Sequence, residues 1–360
     1  MMGIISMKRP TILLLAFLTA IGVTAGQKSP ARQLLERLKK LQKRGVMMGH
    51  QDDPFYGTTW KWDYGKSDVK AVCGQYPAVM GFELGKIELG SDKNLDGVPF
   101  DREREEIRNH YRRGGIITIS WHPTNPVTGG SAWDPQGNAV AAVLPGGAQH
   151  VKMQQWLDTV IAFLKSLTTT DGKPIPVIFR PWHEMTGNWF WWGSNSCTPA
   201  QYQQLYRMTV ERIRQAGLTN IVYSYSPGAD AKESLERYGR YYPGDDVVDI
   251  LGTDIYQYGT NQEFIDHMQL ELKVMTEFAK SHHKLVSVSE TGYRNTPDPQ
   301  WFTGTLLPAI RGYRFTYFLL WRNAWDQKEE NFGPAPDKSC AADFQKLASQ
   351  KRILLIRDIQ

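Results

Sequence analysis

The chain has 360 residues, of which 41% are hydrophobic and 22% charged, a balance that excludes a disordered or fibrous chain and suits a substantial core. Twelve Trp, sixteen Tyr and fourteen Phe are an unusual aromatic load, and Trp is hard to bury completely, so an aromatic-lined groove is expected. The formal charge is +5 with no long basic run, which gives no nucleic-acid track.

The amino terminus reads as an export leader. Lys8 and Arg9 precede an apolar run over residues 11–23, and Val23-Thr24-Ala25 offers a small-residue cleavage site before Gly26. A signal peptide is therefore expected over residues 1–25, with residues 26–360 forming a single domain of a periplasmic or secreted protein. Its removal takes two cations and leaves +3. The apolar run is short for a membrane anchor, and no later segment is apolar enough to span a bilayer. No Cys lies near the cleavage site, which argues against a lipoprotein. Cys73, Cys197 and Cys340 permit one disulfide with one Cys left over, and the sequence does not choose the pair. There is no C-x-x-C and no H-E-x-x-H, so neither a metal nor another cofactor is expected. Nothing in the composition sets the oligomeric state.

Residues 31–44 read as an amphipathic helix with Leu34, Leu35, Leu38 and Leu41 on one face. Eight short apolar runs follow, at 46–48, 78–82, 116–121, 176–179, 221–226, 248–252, 285–289 and 315–320. Helix-like stretches separate many of them, at 102–112, 150–167, 199–215, 263–280 and 299–311. Apolar strands alternating with helices imply an α/β protein with parallel pairing. Eight such units in this length fit a (β/α)8 TIM barrel. A doubly wound sheet would favour a Gly-rich phosphate loop, and neither G-x-G-x-x-G nor G-x-x-x-x-G-K-[ST] occurs. Most strand candidates run into polar or aromatic residues at their carboxyl ends, which in a barrel meet on the catalytic face. The loops after the third, fourth and eighth strands are long, and residues 124–147, 189–198 and 323–339 are candidate cleft walls.

Two carboxylates stand out there. Glu184 closes the fourth strand and Glu290 the seventh, and these strands face each other across a barrel mouth. Glycoside hydrolysis needs two such groups, one to protonate the leaving oxygen and one to attack the anomeric carbon or activate water. The bland alternative is a surface salt bridge, which poorly explains a Glu bracketed by Arg180, His183 and Met185. Around the pair, His183 and His122 are candidates for sugar hydroxyls, Arg180 for orienting a carboxylate, and Tyr256 for a hydrogen bond to the nucleophile. Each of His122 and Arg180 has an ordinary core role as its alternative. Trp121, Trp189, Trp191, Trp192 and Trp321 lie at or beyond strand ends, some as sugar platforms and some as packing; Trp189 and Trp321 are the preferred platforms, and Trp121 is taken as a further sugar contact. Glu83, Asp52 and Asp53 reach the same face, either to bind distal sugars or to brace the barrel.

Taken together, these motifs resemble the β-mannanases of glycoside hydrolase family 26. The resemblance rests on Gly49-His50-Gln51-Asp52-Asp53, Ser120-Trp121-His122-Pro123, Arg180-Pro181-Trp182-His183-Glu184-Met185, Asp254-Ile255-Tyr256, Ser289-Glu290-Thr291-Gly292 and Trp321-Arg322-Asn323-Ala324. It spans most of the chain beyond the leader. It implies a retaining enzyme with Glu184 as acid/base and Glu290 as nucleophile. It also implies Tyr256 beside the nucleophile, and His122, His183 and Trp321 around the reacting sugar. The implied substrate is β-1,4-linked mannan, glucomannan or galactomannan. Relatives that cut β-1,3-xylan or mixed-linkage β-glucan give one rival reading. A non-catalytic carbohydrate-binding protein, whose signature would be loss of one Glu, gives another, and a scaffold protein a third. Endo and chain-end action both remain open at this point.

Overall fold

The computed structural model describes residues 28–360, so the leader expected over residues 1–25 lies outside the described residues. Eight parallel strands form its centre: β1 Val46–Gln51, β2 Val79–Glu83, β3 Ile116–Trp121, β4 Val177–Pro181, β5 Ile221–Tyr225, β6 Ile250–Gln257, β7 Leu285–Tyr293 and β8 Tyr317–Leu320. Each pairs with the next, and β1 pairs with both β8 and β2, so the sheet closes on itself. A short β9, Ile353–Leu354, adds to the start of β1. The helices are α1 Pro30–Leu41, α2 Asp68–Cys73, α3 Phe100–Arg112, α4 Ala139–Val143, α5 His150–Ser166, α6 Pro199–Gln215, α7 Leu235–Gly239, α8 Asn261–His282, α9 Leu307–Ala309 and α10 Ala341–Ala348. This is the expected (β/α)8 TIM barrel.

Strand alternation divides the apolar residues into two layers. Met47, Val79, Ile178, Val222, Ile250, Leu285 and Leu319 pack with Tyr317 inside the barrel, and Leu34, Leu38 and Leu41 of α1 close its amino end. Val177, Phe179, Leu251, Val286 and Val288 face the helical layer instead. Two helices start on capping boxes. Thr198 with Gln201 opens α6, and Thr260 with Glu263 opens α8, each satisfying orphan amides of the first turn. No helix among the described residues is long and apolar enough to cross a membrane.

Two elements depart from the sequence pattern. β6 and β7 run on beyond their apolar stretches, because backbone pairing continues from Asp254↔Glu290 to Gln257↔Tyr293. The helix expected at 299–311 is instead a π-helical segment, Phe302–Leu306, running into α9. Pro308 is the cause. It lacks the N–H that would bond to the Gly304 carbonyl, and its ring crowds that carbonyl, so the preceding turn widens.

Candidate active site

The two carboxylates reach the barrel mouth by different backbone devices. On β7, Ser287 and Ser289 share a face, their hydroxyls 3.1 Å apart, while Val286 and Val288 face the helices. Strict alternation would send Glu290 outward with Val288. The pairing register with β6 shifts here, Thr253 facing Val288 and Asp254 facing Glu290. This bulge at Ser289 turns Glu290 back towards the mouth, as bulges beside active sites commonly do. After β4 the chain takes left-handed backbone at Trp182 (φ 55°) and Glu184 (φ 54°). Such conformations are costly for side-chain-bearing residues and concentrate at functional sites. The Glu184 N–H donates to the Ser226 carbonyl at 2.7 Å, and the Gly187 N–H donates to the Glu184 carbonyl at 2.9 Å, pinning this turn.

Glu184, Asp254 and Glu290 bring carboxylate oxygens within 4.8 Å of one another. Three acids so close suggest a cation, and the protein supplies its own. The buried Arg180 guanidinium donates to Asp254 at 2.9 Å and to Glu290. Burial opposes its charge, but the two carboxylates more than offset that and hold the guanidinium ionised. Asp254 also accepts from the Ser226 hydroxyl at 2.7 Å. With two of the three acids committed to a fixed guanidinium, the donor set does not fit a metal. Tyr256 donates to the other oxygen of Glu290 at 2.6 Å. Burial and the Glu290 charge push its pKa up, so it stays a donor.

Glu184 has a different environment. Burial, then the neighbouring Glu290 charge, raises its pKa to about 7. The Trp189 indole N–H donates to it at 2.8 Å and works against that rise. The Trp189 ring lies over Gly187, where an added Cβ would come within 2.3 Å of it. One carboxyl thus holds its proton up to about neutral pH and the other is bonded to a cation, the kind of separation that acid/base chemistry uses.

A buried chain of polar groups backs the pair. Glu83 accepts from the Gly85 and His122 amides, the Ser120 hydroxyl and His122 Nδ1. His122 Nε2 lies 2.9 Å from His183 Nε2, and His183 Nε2 is 3.9 Å from Glu290. Burial alone would lower the His122 pKa, yet the Glu83 charge and hydrogen bond carry it above its ordinary value. Burial, Arg180 and His122 all lower that of His183, which is therefore neutral.

A cleft of about 440 Å³ holds His122, Trp189, Tyr256, Trp321 and both glutamates. The other candidates sit behind it. Arg180, His183 and Glu83 are buried beneath the surface, so they act on the lining groups. Trp121 is fully buried, tilted on Trp182 with its N–H on Glu88 at 3.1 Å. It is absent from the cleft lining, and Trp191 and Trp192 are likewise buried. These three rings are packing, which corrects the reading of Trp121 as a sugar contact. Asp52 and Asp53 brace the barrel through Tyr56 and His50.

Single-residue reasoning did not pick out several lining groups. Trp133, after β3, stacks on His122 with ring planes 9° apart, and Phe190 and Phe332 line the same cleft. All three fall within the loops expected to form walls, but loop register is not readable from sequence. Residues 92–103 also spell D-x-N-x-D-G-x5-E, the pattern of a calcium loop. The geometry goes elsewhere: Asn94 Oδ1 accepts the Asp96 and Val98 amides, and Asp96 pairs with Arg322 at 2.6 Å. The three cysteines are all free, so the permitted disulfide is not formed.

An aromatic-walled cleft with two close carboxylates at the carboxyl end of a parallel barrel defines a glycoside hydrolase of the TIM-barrel kind. The chain belongs to glycosyl hydrolase family 26, whose profile matches residues 23–332. It is 46% identical to the GH26 β-mannanase of Bacteroides ovatus, with a TM-score of 0.90 over 92% of this chain and 96% of that one. It is 33% identical to the modular endo-β-1,4-mannanase of Cellulomonas fimi, with a TM-score of 0.84 over 92% of this chain and 76% of the other. A mannan endo-1,4-β-mannosidase of Bifidobacterium adolescentis is 32% identical over 72% of this chain, but the match spans only 27% of that longer protein.

Proposed function

We propose that the protein hydrolyses β-1,4-mannosidic bonds of mannan, glucomannan or galactomannan with retention of configuration. Glu184 is the acid/base and Glu290 the nucleophile. The observation that carries this is the pair itself. Their oxygens lie within 4.8 Å, which suits the roughly 5–5.5 Å carboxyl spacing of retaining enzymes and not the roughly 6.5–9.5 Å of inverting ones. Their environments also differ in the needed direction. Glu184 keeps a proton to about pH 7, while Glu290 lies between the Arg180 and Tyr256 donors.

In the first step Glu184 protonates the departing glycosidic oxygen as Glu290 attacks the anomeric carbon from the opposite face. The Glu290–sugar ester forms and the aglycone leaves with the Glu184 proton. In the second step Glu184, now ionised, takes a proton from water, and that water displaces Glu290. Arg180 and Tyr256, each donating to a different Glu290 oxygen, fix the orientation of the attacking carboxylate. Trp189 and Trp321 supply the ring faces that flank the scissile bond. The choice of mannan rests on the relatives named as mannanases. The leader-like residues 1–25 support action outside the cytoplasm.

Following the anomeric proton by NMR during early hydrolysis of mannohexaose tests the mechanism: the β-anomer appears first, and an initial α-anomer would sink it. Parallel digestion of mannan, β-1,3-xylan and mixed-linkage β-glucan tests the substrate, with turnover expected on mannan. A spread of oligomers from intact mannan marks endo cleavage, whereas mannobiose alone marks chain-end action.

A further inference from the structure

The end of the barrel opposite the cleft carries charge that the reaction does not use. A groove of about 1060 Å³ opens there. It is lined by Lys43 and Arg44 after α1, Lys280 and Lys284 around the end of α8, Arg314 before β8 and Arg352 before β9. No Asp or Glu is among its lining residues. None of the six takes part in an ion pair among the described residues. The polar contacts of Lys284 and Arg352 go to the Asp245 and Tyr313 carbonyls. The Asp245 carboxylate is already held by Tyr242 and His282. Lys43, Arg44, Lys280 and Arg314 are exposed.

Structure explains only part of this clustering. Cations near a helix C-terminus are favourable, which suits Lys43, Arg44 and Lys280. Arg314 and Arg352 lie on no helix, yet they converge on the same groove from segments far apart in sequence. That convergence is why no basic run is visible in the chain. A second hollow, of about 660 Å³, includes Arg37, Arg108, Arg112 and Arg113 in its lining and no Asp or Glu side chain; among the described residues Arg113 alone of the four lies near a carboxylate outside the lining, Glu106 at 3.9 Å. It lies at the same end, since its Gly114 precedes β3 and its Thr169 and Thr170 precede β4. Helix α1 crosses this end, its Ala31 amide bonded to the Thr219 carbonyl before β5, and it adds exposed Lys39 and Lys40.

We infer that this amino-terminal face docks on an anionic lipid surface, with headgroup phosphates seated in the Lys43–Arg314 groove. The reading goes beyond the hydrolytic activity and does not depend on it. Two cation-lined hollows on a common face match an extended planar anion better than one soluble ion. Lys and Arg near such a surface each add attraction, and salt weakens it. Docked this way, the barrel turns its cleft away from the surface and leaves it open to polysaccharide.

The test is co-sedimentation of the purified protein with phosphatidylglycerol and with phosphatidylcholine vesicles, at low and high salt. A variant carrying Lys43→Glu, Arg44→Glu, Lys280→Glu and Arg314→Glu is run beside it. Its fold is checked by circular dichroism and by unchanged mannohexaose turnover. Binding to phosphatidylglycerol alone, released by salt and weakened at least about tenfold in the variant, is the expected result. Absence of binding, equal binding to both lipids, or full binding by the folded variant would overturn the inference. Capture of soluble polyphosphate without vesicle binding would overturn it in favour of a small-anion site. A misfolded quadruple variant is replaced by Lys43→Gln with Arg314→Gln, read by the same loss of binding.

Discussion

Glu184 and Glu290 present oxygens within 4.8 Å of each other, yet only Glu290 is tied to the Arg180 guanidinium. That asymmetry supports the proposed order of roles, and replacing each acid separately tests it. Glu184→Ala is expected to slow mannan hydrolysis by roughly 10²–10⁴-fold, the usual contribution of general acid–base catalysis. On an aryl mannobioside, whose leaving group needs no proton, added azide should restore turnover and give the β-glycosyl azide. Glu290→Ala should abolish double displacement, and azide should give the α-glycosyl azide. The opposite pairing of products would exchange the two roles.

The pH profile follows from the same pair. In the proposed mechanism Glu184 enters the reaction protonated, and its pKa is raised to about 7 by burial and by Glu290. Activity should be sustained below that value and fall as pH rises through it. The Trp189 N–H favours the carboxylate form, so Trp189→Phe should move the basic limb of kcat to higher pH. Gly187→Ala should do the same indirectly, since its Cβ would displace the Trp189 ring. A limb that stays put in Trp189→Phe would show that another group sets it.

The barrel and the meeting of Glu184 with Glu290 at its mouth were legible because each depends on local pattern. Apolar runs marked the strands, and polar residues at their ends marked the mouth. What could not be read depends on register and depth. Nothing in Val288-Ser289-Glu290 announces a bulge, yet without it Glu290 would face the helices. Trp121 and Trp321 both lie at strand ends, but Trp121 is buried under Trp182 while Trp321 lines the cleft. Trp133 reaches His122 only through the path of a long loop, which spacing does not encode. Asp254 was visible beside Tyr256 in the sequence, but its pairing with Arg180 needs the fold.

Glu83 tests the buried support of the site. It holds His122 through ring and backbone together. Glu83→Gln keeps the shape but removes the charge and places an amide against donors. The loss should be about 1–3 kcal/mol of stability from the unsatisfied buried groups. Activity should fall roughly tenfold to a hundredfold as the His122–His183 pair loses its alignment. The distinguishing readout is the His122 ring. The Glu83 charge and hydrogen bond raise its pKa against burial, so nitrogen NMR should show that pKa falling in the variant. An unmoved His122 titration would reduce Glu83 to a packing role.

Trp121 and Trp321 separate packing from sugar contact. Trp121 donates to the buried Glu88 carboxylate, which also accepts the Thr124 amide. Trp121→Phe retains most of the apolar contact but withdraws that donor. Thermal or denaturant unfolding should show about 1–3 kcal/mol of destabilisation, with KM for mannohexaose nearly unchanged at a temperature where the variant is folded. Trp321 is only partly buried and its ring meets His122 edge-on within the cleft. Trp321→Ala should do the reverse, lowering kcat/KM by at least about tenfold, a loss of about 1.4 kcal/mol of transition-state binding, with a smaller change in unfolding midpoint. Both rings follow the same kind of apolar strand, so a parallel effect of the two substitutions on kcat/KM would mean that burial does not distinguish their roles. Opposite effects would show that depth below the cleft floor, rather than position at a strand end, decides which tryptophan meets the sugar.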